Sequence, residues 1–351
     1  MKAVINGSYV HYLFLFTGLL CLLPQQAQAL SELDACLLER LQQAGDETSV
    51  GELKAACQAS LIEQAAPAAE AVVAEDPPVS EDADAMQPLQ PGESLVDRRL
   101  EAEKSTRFNP FVMSPHKQNY VLLASYNDTP NYEIYNIPAS DFDRVEMKFQ
   151  FSFKMPVYEG LFGTQADLYA AYSNLSFWQA YNRDISSPFR ETVHEPEMFV
   201  VVPNNWKIFG WKNSLMQFGA VHQSNGQGGF LSRSWNRLYA NFVFENDRFL
   251  LGFKPWYRVP EDNDDNPDIE DYLGHYELTG LYKKGEQTFG LMLRNLFDDE
   301  NRATMQLDWS FPLYRRWRGY VQYFNGYGEG LIDYNSESHR IGFGLQLTDW
   351  L

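Results

Sequence analysis

The sequence predicts an all-β protein, a transmembrane antiparallel β-barrel of about twelve strands, preceded by a small disulfide-stapled helical hairpin and a disordered linker. Three observations predict it. The chain opens with a secretory leader, its body alternates apolar and polar residues, and no apolar run after Ala29 reaches the ~20 residues of a spanning helix.

The leader comes first. Lys2 precedes an apolar run from Tyr12 to Leu23, followed by the small-residue site Ala27-Gln28-Ala29, so 1–29 reads as a signal peptide cleaved after Ala29. Leu19 and Leu20 are too bulky for a lipoprotein signal at Cys21, which therefore leaves with the leader. Cys36 and Cys57 remain, an even number in an oxidising compartment, and a bond between them is expected. Helical spacing on both sides of Gly45-Asp46 (Leu33, Leu37, Leu41; Leu53, Cys57, Leu61) makes 30–64 a helical hairpin. From 65 to 105 the chain is rich in Ala, Pro, Glu and Asp, which cannot bury enough surface to offset ordering entropy, and reads as a linker. Much of the formal charge of −19 sits in these two segments, so it says little about a substrate, although it argues against nucleic acid.

The barrel is expected over 106–351. Val145, Met147, Phe149, Phe151, Phe153 and Met155 alternate with Glu146, Lys148, Gln150, Ser152 and Lys154, giving a strand with one apolar face. The pattern returns at Ala303 to Phe311 and from Ile341 to Leu347, near the terminal Trp350-Leu351. A soluble β-sandwich alternates too. The leader, the aromatic strand ends (Trp256-Tyr257, Tyr320, Tyr323-Phe324) and the alternation running to the last strand favour the membrane.

Two strands break the pattern in one way. Met216, Phe218, Ala220, His222 and Ser224 share a face, so a histidine and a serine continue an apolar stripe. On the next strand Asn236 shares a face with Leu238, Ala240, Phe242 and Phe244. Joined by the hairpin 225–233, the strands are antiparallel neighbours and bring His222 within reach of Asn236. A serine hydroxyl needs a base to become a nucleophile, and the base works better when a third group fixes its tautomer. An Asn carbonyl does so without placing a carboxylate against hydrocarbon. A lone His-x-Ser more often merely ends a strand near the headgroups; Asn236 on the adjacent face is what raises the catalytic reading. His116 and His194 neighbour prolines in expected loops, and His275 and His339 sit among ordinary strand residues. There is no Gly-x-Ser-x-Gly elbow and no Cys/His cluster for zinc.

These residues, His222-Gln223-Ser224-Asn225-Gly226 and Ser232-Arg233-Ser234-Trp235-Asn236-Arg237-Leu238-Tyr239, resemble the signature of the outer-membrane phospholipase A family. The resemblance extends to Ser187-Pro188-Phe189-Arg190-Glu191-Thr192, Lys254-Pro255-Trp256-Tyr257, Asp265-Asn266-Pro267-Asp268 and Gly326-Tyr327-Gly328-Glu329. It implies a bacterial outer-membrane barrel that hydrolyses phospholipid acyl esters with calcium and is activated as a homodimer; the N-terminal extension, which the resemblance does not cover, is expected on the periplasmic side. By position it makes Ser224 the nucleophile, His222 the base and Asn236 the orienting residue. It also gives calcium to the Ser232 hydroxyl and the Gln227 carbonyl, with a carbonyl at Ser186 of a second copy. Gly229 stands where some members carry an acidic residue, so a second calcium site that uses it is not implied; Asp264 and Asp265 could still attract a cation, with Asp265 the candidate ligand, or belong to a solvated extracellular loop. Two functions of other kinds compete, a non-catalytic channel or structural barrel and a lipopolysaccharide deacylase. The latter would share a Ser and a His but not the Asn236 motif.

Overall fold

The computed structural model describes Ala56, Cys57 and residues 93–348, apart from 108, 110, 111, 136, 137, 298, 315 and 316. The chain divides into two compact units, Met1–Met86 and Gln87–Leu351. In the first, Ala56 and Cys57 are helical, and Cys57 is buried and disulfide-bonded. The signal peptide, the rest of the hairpin with Cys36, and the linker up to 92 lie outside the described residues.

The second unit is one antiparallel sheet closed on itself. Its twelve long strands are β1 (Asn119–Asn127), β2 (Val145–Tyr158), β3 (Asp167–Trp178), β4 (Phe189–Pro203), β5 (Trp211–Ser224), β6 (Ser234–Asn246), β7 (Phe249–Val259), β8 (Tyr276–Lys284), β9 (Gln287–Arg294), β10 (Thr304–Tyr314), β11 (Trp317–Gly326) and β12 (Ser338–Thr348). Each pairs with its chain neighbours, and β12 pairs with β1 to complete the ring. Two-residue bridges at Ser114–Pro115 and Lys207–Ile208 add to its rim. No described helix is long and apolar enough to cross a membrane.

The alternation resolves with the charged face inward. Along β2, Phe151 and Met155 are exposed while Glu146, Lys148, Ser152 and Lys154 are buried. Outward apolar and inward polar is the arrangement of a barrel surrounded by hydrocarbon. Several of the interior charges pair with one another. Arg340 bonds Glu146 at 2.9 Å and Glu329 at 2.8 Å, Arg190 bonds Glu146 at 3.1 Å, and Lys148 bonds Glu329 at 2.9 Å. Burial pushes the Glu329 carboxyl up, but Arg340 and Lys148 more than offset this and hold it below the usual carboxylate range. A cavity of about 380 Å³ remains in the lumen, lined by His116, Lys117, Glu195 and Arg237 among others.

The barrel ends differ. Connections 128–144, 179–188, 225–233, 260–275, 295–303 and 327–337 are long, whereas at the other end turns shorten to two residues at 247–248 and 285–286. Long loops mark the extracellular end of such barrels. Ser224, at the end of β5, therefore sits at the outer rim.

Residues 95–105, expected to be linker, instead form α1 (Leu95–Thr106) with Ser94 as N-cap, its hydroxyl accepting from the Asp97 N–H at 3.0 Å. Its Leu95 and Val96 join a buried cluster with Val201, Leu215, Val243 and Leu250. Lys154 binds Glu103 at 2.8 Å and Arg107 binds Asp167 at 3.0 Å, docking the helix toward the short-turn end. Composition averaged over the acidic stretch concealed its two buried apolar residues.

Candidate active site

The β5–β6 hairpin positions the three outward polar residues. In its ladder His222 stands opposite Asn236 and Ser224 opposite Ser234. His222 Nδ1 and Asn236 Oδ1 are 2.9 Å apart. The Ser224 hydroxyl oxygen accepts from the Gly226 N–H at 3.1 Å, which leaves its proton available to a base. From the lumen side the hairpin is stiffened by Trp235, fully buried, whose indole N–H donates to Gln223 Oε1 at 2.7 Å. The Arg237 guanidinium lies 4.0 Å from the Trp235 ring centroid and bonds the same Gln223 oxygen at 3.1 Å.

Asn225 holds the loop beyond the serine. Its Oδ1 accepts from the N–H groups of Gln227 and Arg233, both at 3.1 Å, and its Nδ2 donates to the Leu231 carbonyl at 2.7 Å. Gly226 and Gly229 adopt left-handed φ of 63° and 65° there, the conformation that glycine takes without steric cost.

Of the expected calcium ligands, Ser232 and Asp265 are together, with the Ser232 hydroxyl donating to Asp265 Oδ2 at 2.5 Å. The neighbouring Asp264 is occupied by Arg258, at 2.6 Å and 2.7 Å. Gln227 lies exposed on the 225–233 loop. Ser186 is exposed on a different loop at the same end, in a turn held by Ser187 N–H to Asn182 O at 2.8 Å. Among the described residues no group of three or more His, Cys, Asp or Glu is arranged for a metal. The expected set does not need one, since its donors are a hydroxyl, carbonyls and a single carboxylate. Those hard oxygens fit calcium and not a softer metal.

Three placements were not anticipated. His194, expected in a loop, lies within β4 opposite Ser224, and its Nδ1 meets the Tyr172 hydroxyl at 2.6 Å. Pro196 suggested the loop, but β4 and β5 simply skip pairing between His194 and Glu197, where the proline has no N–H to give. His116 lies between strands as expected, yet it stacks on Phe199 at 4.9 Å and bonds the Glu197 carboxylate inside the barrel. Glu261 lies beside Asn236, whose Nδ2 donates to Glu261 Oε1 at 2.9 Å. Period two ends with β7 at Val259, so alternation carried no signal for it.

A protein family described as Phospholipase A1 matches residues 96–347. A Phospholipase A1 of Klebsiella pneumoniae is 38% identical over 242 residues, 69% of this chain and 84% of that protein. The Phospholipase A1 of Escherichia coli K12 is 37% identical over 243 residues, 69% of this chain and 83% of the relative. Among solved structures, outer membrane phospholipase A from Escherichia coli superposes with a TM-score of 0.66 at 36% identity, covering 70% of this chain and 95% of that one. A Salmonella typhi outer membrane phospholipase dimer with bound calcium gives 0.66 at 36%, covering 69% and 94%.

Proposed function

Because the chain belongs to the Phospholipase A1 family, and is an outer-membrane barrel phospholipase, we propose that Ser224, His222 and Asn236 hydrolyse phospholipid acyl esters on its lipid-facing wall, with calcium and a second copy of the chain completing the site. One observation carries the reading: His222 Nδ1 lies 2.9 Å from Asn236 Oδ1, on the outer face, two residues from Ser224.

An Asn carbonyl only accepts, so the His222 proton resides on Nδ1 and the Nε2 lone pair faces away from Asn236. That nitrogen takes the Ser224 proton as Oγ attacks the ester carbonyl. It then protonates the leaving glyceryl oxygen, and finally activates the water that releases fatty acid from the acyl-serine. Asn236 stabilises the imidazolium formed in between. The Gly226 N–H, which already donates to Ser224 Oγ, is a preorganised donor placed to serve the oxyanion. Ser232, Asp265 and the Gln227 carbonyl would hold calcium, with the Ser186 carbonyl from the second copy. When bound, the cation supplies positive charge that polarises the ester carbonyl. One chain offers few ligands against the ~6–8 oxygens that calcium takes, so cation binding and dimerisation should strengthen each other. The Salmonella relative, a dimer with bound calcium, supports this.

In detergent micelles, crosslinked dimer and fatty-acid release should rise together over one calcium titration, and Ser232→Ala should weaken both. Ser224→Ala should abolish release while the barrel stays folded by heat-modifiable gel mobility. Full activity from a calcium-free monomer, or normal turnover by Ser224→Ala, would overturn the reading.

A further inference from the structure

We propose that Glu261 is a positioning residue for this hydrolysis: it fixes which end of the Asn236 amide faces His222, and through it the tautomer of the base. The proposal rests on the reading of His222 and Asn236 given above.

The two ends of an Asn amide are nearly equal in size and opposite in hydrogen bonding. With Oδ1 toward His222, the ring keeps its proton on Nδ1 and Nε2 is free to accept. With Nδ2 toward His222, Nδ1 must be the acceptor, the proton moves to Nε2, and nothing remains to take a proton from Ser224. At a half-buried position on the outer face, packing alone does not choose between two ends of nearly equal size. Glu261 does. Its Oε1 accepts from Asn236 Nδ2 at 2.9 Å, and a flipped amide would set oxygen against a carboxylate, which offers only acceptors. The chain Glu261–Asn236–His222 therefore reads in one direction.

The fold holds Glu261 in this place. Asn236 pairs with Val259, the last residue of β7, and Pro260, with no N–H, ends the ladder there. Beyond it the loop is tied down by Arg258 to Asp264 at 2.6 Å and by Asn266 Oδ1, which accepts the Ser234 N–H at 3.0 Å. Glu261 is partly exposed, so its charge stays hydrated, yet it lies one amide away from the imidazole that becomes positive. An amide that relays the influence of a carboxylate suits a site facing lipid, where a carboxylate directly on His222 would be costly to desolvate.

The test compares Glu261→Leu and Glu261→Gln on phospholipid in mixed micelles at saturating calcium, each alone and with Asn236→Ala. Glu261→Leu should lower kcat roughly tenfold, the worth of about one hydrogen bond to a charged group, with KM and the calcium midpoint unchanged. Glu261→Gln should recover part of it, since its carbonyl accepts but its amide can also turn. In the Asn236→Ala background Glu261→Leu should cost nothing further, because the residue it acts through is gone. An unaltered kcat for Glu261→Leu, or an equal loss in both backgrounds, would overturn the proposal. Turnover by Ser224→Ala would instead sink the catalytic reading itself, so the two failures are distinguishable.

Discussion

Asn236→Ala removes the carbonyl that meets His222 Nδ1 at 2.9 Å and leaves the ring otherwise in place. The bond strengthens as the imidazole gains charge, so its loss falls on the transition state more than on bound substrate. A hydrogen bond to a charged group contributes roughly 1.5–3 kcal/mol, which converts to about a 10- to 150-fold fall in kcat. The lower half is expected, because His222 is exposed and water or headgroup oxygens can replace part of the contact. Stability should hardly change, since the side chain lies on the outer face and Trp235, next to it, keeps its buried indole bond to Gln223. The assay is the initial rate of fatty-acid release from mixed micelles at saturating calcium, with His222→Ala in parallel. The histidine variant should lose far more, because it lacks the base altogether. Unchanged activity, or a loss matching His222→Ala, would refute the orienting role.

Arg340→Met leaves Glu146 and Glu329 short of a partner each, and truncating one member of a buried ion network should cost about 3–5 kcal/mol in equilibrium unfolding from lipid. A loss below ~1 kcal/mol, as for a surface pair, would mean that the lumen is effectively solvated. Acid should release α1. Burial pushes the Glu103 carboxyl up, but Lys154 and Arg99 together hold it below its ordinary value. A carboxyl with a depressed folded value stabilises docking above the unfolded value, and that contribution is lost as pH falls through the folded one. Amide exchange over 95–106, corrected for intrinsic rate, should therefore rise selectively toward pH 3, and uniform protection there would contradict it. Mass mapping under non-reducing conditions should join Cys57 to Cys36 in the mature protein, and two free thiols would overturn the stapled hairpin.

Much of the site was legible because strand geometry is local. Alternation assigns each residue to a face without reference to any other strand, so His222 and Ser224 in an apolar stripe, and Asn236 in the next, could be placed on the lipid side from the order of residues alone. The hairpin loop between them made their strands neighbours, and the ladder pairs His222 with Asn236. The same parity put Glu146, Lys148 and Lys154 inside, though not whom they meet. Lys148 and Glu329 are 181 positions apart, and only closure of the ring brings them to 2.9 Å. His194 was hidden for a related reason. A proline two residues away argued for a loop, and only the register between β4 and β5 shows that the ladder passes over it and sets His194 against Ser224. Glu261 and Asp265 lie where period two has stopped. Their positions follow from a loop folded around Arg258 and Asn266, with no repeating geometry to betray them. The sequence by itself thus determined the barrel, its two faces and the outward serine, histidine and asparagine, because those depend on a backbone that repeats every two residues. The charge partners, the docked α1 helix and the carboxylate behind Asn236 were decided by tertiary structure, because they depend on where distant segments arrive once the sheet has closed.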